Sequence, residues 1–324
     1  MLHSYLSVMF TAALGLATAS PVFAQTYPAK PVRVLVGLAA GGGVDLVARI
    51  FTPRLAEALG QPFIVENRPG GGSILAIETV ARAAPDGYTL LFSPNGAMVM
   101  NPTIYKKLSY SPTKDFVPVA LAVTFPLIVS VHAGLPVHSV KDLVSWLKAN
   151  PGKANCAGTS QTFLLAIKLL TSSTGTECTF IQYKANNQTA QALMTGEVHF
   201  ALVDTGPIFP AIQTGKVRGV AVTTPARDAT FPDVPTVIEA GFPELEMRFW
   251  MGLLAPAATP AAIVKRLEAE MLRIVRMPDV VKQLQARQVT PAGMGSEEFG
   301  KFIASEIARW DATRKAAKIP QMEQ

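Results

Sequence analysis

The chain has 324 residues, of which 49% are hydrophobic and 16% charged, and a formal net charge of +6 at pH 7. That length and composition provide a substantial core and room for two ordinary domains, and they exclude long disordered segments. Lys and Arg are scattered rather than clustered, so the positive balance does not mark a nucleic-acid surface; it suits acidic small molecules, or plain solubility.

Residues 1–24 contain no Lys, Arg, Asp or Glu, and an apolar run from Leu6 to Ala19 precedes Val22-Phe23-Ala24, with small residues at the cleavage-relevant positions. The expectation is a secretory signal removed after Ala24 and a periplasmic mature protein. Only the amino terminus and His3 charge the n-region, an atypical feature that a different start codon would explain. No Cys sits near the cut to carry a lipid anchor, and no later run reaches the roughly 18 apolar residues that span a membrane.

From Val32 to Leu38 the chain reads as a buried parallel strand. Gly41-Gly42-Gly43 then opens a helix to about Leu59, with Asp45 in its first turn, and Gly60 stops it. Pro62 to Val65 begins a second strand, Gly70-Gly71-Gly72 opens a helix from Ile74 to Ala84, and Tyr88 to Phe92 is a third strand. Short connections predict a parallel sheet covered on both faces. Ligands of such sheets bind beyond the carboxyl ends of the strands, where both glycine runs and Ser93-Pro94-Asn95 fall. A helix start leaves unpaired N–H groups and a positive dipole end, and glycine lets an anion approach them.

Leu121 to Val131 is an apolar strand broken by Pro126, and a helix capped by Ser139 runs to Lys148. A second αβ set follows: strand Ala154–Ala157, helix near Thr162–Ser172, strand Thr179–Tyr183, helix Thr189–Leu193, and strands Val198–Val203 and Gly219–Thr223. Thr159, Ser160 and Gln161 again place donors at a helix start, and Asp204 and Thr205 end the next strand. Phe249 to Leu254 is a strand, and Thr259 to Ala317 reads as mainly helical. Crossings near 121–128 and 245–254 predict two domains with a cleft between them, residues 25–121 with 250–324, and residues 122–249. Cys156 and Cys178 are the only cysteines and flank strands; export permits one disulfide, and two buried thiols are the alternative.

Catalytic signatures are missing: no G-x-G-x-x-G, P-loop, G-x-S-x-G or H-E-x-x-H occurs. Of the histidines after the signal, His132 and His138 flank a Gly-Leu-Pro turn and read as solvated, while His199 reads as packed in a strand. The polar residues at strand ends are mostly Ser, Thr, Asn, Gln and glycine backbone, which recognise rather than transfer protons. Neither an enzyme nor a metal or cofactor is expected, and the competing class is an exported enzyme acting on an organic acid.

Tyr27-Pro-x-Lys-Pro-Val-Arg, Ala39-Ala-Gly-Gly-Gly-x-Asp-x-x-Ala-Arg49, Val65-Glu-Asn-Arg-Pro-Gly70, Ala84-Pro-Asp-Gly-Tyr-Thr-Leu-Leu91, Pro235-Thr-Val-x-Glu-Ala-Gly-Phe-Pro243 and Trp250-x-Gly-Leu-x-Ala-Pro256 run through the mature chain in that order. They resemble the Bug-type substrate-binding proteins of tripartite tricarboxylate transporters. The resemblance implies a periplasmic two-domain α/β binding protein, the type II Venus flytrap, that captures a small carboxylate for a membrane permease. It implies a ligand carboxylate held by the loops matching Ala40, Gly41, Gly42, Gly43 and Asp45, and Gly70, Gly71, Gly72 and Ser73, with Ser93 and Asn95 at the third strand end. Thr159, Ser160, Gln161, Thr162, Asp204 and Thr205 would close over the other end. A monomer is expected, and signalling to a sensor kinase is the alternative use of the same binding.

The chain departs from the family pattern at several points. Ser73 and Ile74 stand where a glycine and an asparagine are usual, Leu164 and Lys168 where a His and a Glu are common, Ala185 for a glycine and His199 for an aspartate. These changes make the expected cleft more apolar, favouring an aromatic or alkyl acid over citrate.

Overall fold

A computed structural model describes residues 27–159, 161–184, 186–316 and 318–323; the signal peptide and its cleavage after Ala24 lie outside the described residues. In chain order, β1 (Val32–Val36), α1 (Gly43–Leu59), β2 (Phe63–Asn67), α2 (Ile74–Ala81) and β3 (Thr89–Pro94) lead through a wide helical turn (Gly96–Met100) and α3 (Asn101–Ile104) to β4 (Phe116–Phe125). The middle of the chain carries β5 (Leu127–His132), α4 (Val140–Ala149), β6 (Asn155–Gly158), α5 (Gln161–Thr174), β7 (Thr179–Gln182), α6 (Asn186–Thr195), β8 (Phe200–Asp204), α7 (Thr205–Gln213) and β9 (Val217–Val222). Then come β10 (Phe249–Pro256), α8 (Ala261–Ile274), α9 (Pro278–Gln285), β11 (Thr290–Gly295) and α10 (Ser296–Ala316).

These strands form two mixed sheets, ordered β11-β4-β10-β3-β1-β2 and β7-β6-β8-β5-β9. The expected parallel pairing holds within β1–β3 and within β6–β8. Each sheet is then extended by antiparallel strands, β10 beside β3 and β4 in the first, β5 beside β8 and β9 in the second. The C-terminal part is mainly helical as expected, and β11 is a strand within it that the sequence did not announce. Its sequence, Thr-Pro-Ala-Gly-Met-Gly, has no β-branched run, and it is a strand because β4 offers an edge, with a register shift between Pro291 and Met294. The helical stretch 96–104 also went unread in the sequence.

The alternation of β1 explains why both faces are covered. Val32, Val34 and Val36 pack with Val47, Phe51 and Leu55 of α1, while Leu35 packs with Ile74, Ile77 and Val80 of α2. Each such side chain contributes about 1.5–3 kcal/mol on burial. Trp250 and Trp310 are core residues, and the Trp250 ring meets Phe299 edge-on at 4.9 Å. Cys156 of β6 and Cys178 are joined as a disulfide, with 5.9 Å between their Cα atoms.

The chain changes sheets at Pro126 and returns between Met247 and Phe249. Buried Thr223 ties these crossings together. Its hydroxyl accepts the Leu127 N–H at 3.1 Å and donates to the Met247 carbonyl at 2.9 Å. Its backbone exchanges two further bonds with the same residues, from Thr223 N–H to Leu127 and from Met247 N–H to Thr223.

Candidate functional site

β1 and β3 lie side by side, yet the chain leaves them in opposite directions, from β1 through α1 to the edge strand β2 and from β3 through 96–104 to β4. Such divergence opens a crevice at the carboxyl ends of the strands. Its walls are the loop from Gly37 to Gly42 on one side and Ser93 and Asn95 on the other. β6 and β8 diverge in the same way, through α5 to β7 and through α7 to β9, placing Thr159 and Asp204 at a second crevice.

The two crevices face one another across tight contacts. A Cβ added to Gly96 would stand 2.9 Å from Thr162 Oγ1, and one added to Gly206 would stand 3.0 Å from Gln288 Oε1. Phe163 stacks on Phe249 with ring centroids 5.7 Å apart.

The first glycine loop is held from behind by charge. Asp45, 2% exposed, accepts the Gly41 N–H at 2.8 Å and the Arg49 Nε at 3.0 Å. Arg49 continues to Asn67 Oδ1 at 3.2 Å, and Asn67 Nδ2 donates to the Leu38 carbonyl at 3.0 Å. Burial alone would raise the Asp45 carboxyl, but hydrogen bonds from Arg49, Gly41 and Asn67 outweigh it and hold the group below its ordinary value. Asp45 is therefore engaged inside the loop. Gly41 takes a left-handed φ of 78°, whereas Gly42, the N-cap of α1, is extended at φ −75°, ψ 165°.

The second loop is left-handed throughout, with φ of 139°, 53°, 62° and 79° at Gly70, Gly71, Gly72 and Ser73. Ser73 thus holds a conformation for which glycine is the ordinary choice. The loops interlock: a Cβ on Gly37 would fall 2.4 Å from the Ser73 Cβ. Asn101 braces the second loop, donating to the Gly72 carbonyl at 3.4 Å and to the Tyr110 hydroxyl at 3.1 Å. Neither Gly42 nor Ser73 gives a side-chain cap to its helix, in contrast to Ser139, which accepts the Asp142 N–H at the start of α4. Two uncapped helix starts thus sit side by side behind exposed glycines, an arrangement suited to a small anion.

Beneath them Ser93 and Asn95 are each 1% exposed, and Asn95 Oδ1 has no partner. On the opposite side Thr162 and Thr205 are buried and Thr159 is half-buried. Ser160 and Ala185 lie outside the described residues, as does the Gln161 side chain. Lys168 is exposed and Leu164 half-buried on α5. Asp204 is half-buried, but its Oδ1 is sealed from solvent without a partner while Oδ2 accepts from Asn186 Nδ2. Burial pushes this carboxyl up to about 6, with Asn186 pulling the other way. Asn186, Gly37, Arg49, Asn67 and Asn101 are the residues sequence reading missed; the motifs contained Arg49 and Asn67 but gave them no role.

The histidines lie away from this region. His132 ends β5, antiparallel to β8, and its Nδ1 meets the Leu193 carbonyl at 2.8 Å, so it is half-buried and bonded rather than solvated. His199, just before β8 rather than inside a strand, packs on Trp146 at 5.1 Å, and burial lowers its pKa. Two open cavities, of about 800 Å³ between α6 and α7 and about 540 Å³ beside Pro126, border neither glycine loop. Among the described residues no group of His, Cys, Asp and Glu could hold a metal, and no helix is long and apolar enough to cross a membrane.

Residues 47–319 match the model of the tripartite tricarboxylate transporter family receptor. Protein BugT of Bordetella pertussis is 32% identical over 307 residues, covering 93% of each chain. Among solved structures, an R. palustris protein with adipate superposes with a TM-score of 0.82 at 31% identity, covering 91% of this chain and 100% of that one. MatC from Rhodopseudomonas palustris with bound malate gives 0.78 at 32% identity, covering 89% and 99%. The two facing α/β units are thus the two-domain fold of periplasmic binding proteins, and the chain belongs to the tripartite tricarboxylate transporter receptor family, whose members are solute-binding receptors.

Proposed function

We propose that this chain is an exported receptor, cut after Ala24, that captures a small carboxylate between its two α/β units and delivers it to the permease of a tripartite transporter. The observation that carries this reading is the pair of interlocked glycine loops with two uncapped helix starts, beside which Arg49 is already engaged by Asp45 and Arg68 by Glu66. Backbone N–H groups of Ala40 and Gly43 and of Gly70 to Ser73 hold the carboxylate, while those of Gly41 and Gly42 shape the first loop through Asp45 and the Ala39 carbonyl. Ser93 and Asn95 line the floor. Thr159, Ser160, Gln161, Thr162, Asp204 and Thr205 close over the rest of the ligand. Micromolar affinity needs about 8 kcal/mol, and several charge-assisted hydrogen bonds at about 1.5–3 kcal/mol each supply much of it.

The domains in this reading are residues 25–121 with 250–324, and 122–249, hinged at the two crossings. The bound adipate and malate of the two structural relatives support a small organic acid. Leu38, Leu46 and Leu75 expose 38%, 39% and 54% of their surface around the glycine loops, which favours an acid with an apolar body. The test is mass spectrometry of whatever co-purifies with the mature protein, followed by calorimetric titration with that compound. Recovery of a carboxylate that binds unchanged and reversibly supports the receptor reading, and chemical turnover of it refutes that reading. Deletion that abolishes uptake while leaving gene induction intact assigns transport rather than signalling.

A further inference from the structure

The wall opposite the glycine loops holds three polar atoms that the fold buries and leaves unpaired: Asp204 Oδ1, Asn186 Oδ1 and Thr189 Oγ1. Asp204 closes β8 and stands in register with Leu127, the first residue after the crossing at Pro126, so it lies at the end of the second sheet nearest the first. Asn186 opens α6 and reaches across to Asp204 Oδ2 with its Nδ2. Thr189 follows one turn later on the same face of α6 and has no solvent exposure.

Two of these atoms, the Asp204 carboxylate oxygen and the Asn186 amide oxygen, only accept, one N–H of the Asn186 amide is already spent on Asp204 Oδ2, and the Thr189 hydroxyl can accept as well as donate. Asp204 is the N-cap of α7, where a carboxylate ordinarily turns back onto its own helix, yet it makes no cap hydrogen bond. Buried acceptors without donors are costly unless something donates to them. The carboxyl is shifted upward by burial, and no cation contributes to that shift, so no internal positive group satisfies it.

We infer that Asp204, Asn186 and Thr189 form the subsite for the far end of the ligand and read a hydrogen-bond donor there, a hydroxyl or an ammonium group, while disfavouring a second carboxylate. This inference rests on the carboxylate-receptor reading given above. One end of the ligand meets donors from the glycine loops, and the other meets acceptors, so a two-ended ligand of opposite hydrogen-bonding character enters in one orientation. A second carboxylate at the far end would add acceptors to acceptors. An ammonium group would gain most from Asp204, and a hydroxyl could also serve Thr189.

The experiment is calorimetric titration of the mature chain with two matched series, hexanoate, 6-hydroxyhexanoate, 6-aminohexanoate and adipate, and their four-carbon counterparts. The expected result is that, at one length, a donor-ended acid binds at least tenfold tighter than both the alkyl acid and the dicarboxylate. Asp204→Asn should erase most of the ammonium preference, read as the ratio of amino-acid to alkyl-acid affinity within the same protein. Thr189→Val should weaken the hydroxy acid more than the amino acid, and circular dichroism checks that both variants fold. Equal or tighter binding of the dicarboxylate, or an Asp204→Asn variant with an unchanged ranking, overturns the subsite while leaving the carboxylate reading standing. No binding of any member, the alkyl acids included, overturns both.

Discussion

Replacing Asp45 with Asn tests whether the first glycine loop is held by charge from behind. The carboxylate receives a backbone N–H from Gly41 and the Arg49 Nε, which reaches both its oxygens at 3.0 Å. Asn keeps the shape but loses the charge and sets an N–H₂ against one of these donors. A hydrogen bond to a charged group contributes about 1.5–3 kcal/mol. The ion pair itself adds at most about 1 kcal/mol, because Arg49 is 49% exposed. The variant should therefore lose about 2–3 kcal/mol of stability at pH 7. The Asp45 pKa is depressed in the fold, so its contribution is present above the unfolded-state value and disappears as pH falls through the folded one. Urea unfolding at pH 7 should show the full loss and unfolding at about pH 2.5 a smaller one, since protonation of the carboxyl removes the difference progressively below its unfolded-state value. Hydrogen exchange at the Gly41 amide should also accelerate in the variant at pH 7. Equal destabilisation at both pH values, or an unchanged Gly41 amide, would refute the reasoning.

Gly71→Val should abolish calorimetrically detected binding of the co-purifying acid and leave the circular dichroism spectrum intact, because Gly71 holds φ 53° and faces solvent. Gly42 is extended, so loss of binding in Gly42→Val would come from obstruction alone; retained affinity in both variants would remove the loops from the site. Joint replacement of Cys156 and Cys178 by Ala should cost about 3 kcal/mol in urea unfolding, from the loop entropy of a 22-residue separation. Thr223→Val preserves volume but strands the Leu127 N–H and the Met247 carbonyl, and should cost about 2–4 kcal/mol by the same measurement.

What could be read from the sequence was what local chemistry dictates. β1 and β2 announce themselves through β-branched residues and β3 through the apolar run Leu90-Leu91-Phe92, and the two glycine runs mark the turns after β1 and β2, so the first crevice could be drawn before any coordinates. β11 could not, since a Pro and two Gly carry no strand signal and only the free edge of β4 makes it one. Asp45 was placed correctly in a first turn, but its engagement by Arg49 and Gly41 depends on a loop folding back. Likewise, nothing local says that Asn186 reaches Asp204 across 18 residues, or that Ser73, left-handed at φ 79°, lies against Gly37. The disulfide was open for the same reason: spacing does not fix which strand ends become neighbours.

The interlock of Gly37 with Ser73 has a consequence for how receptors of this design diversify. Because one loop admits the other with no room for a single added carbon, the seat proposed for the carboxylate is one mechanical part and resists piecemeal change. The opposite wall is assembled from separate strand and helix ends, joined here by the bond from Asn186 to Asp204. A duplicated copy can therefore acquire a new ligand by editing the Thr159, Asn186 or Asp204 side and inherit the anion seat unaltered.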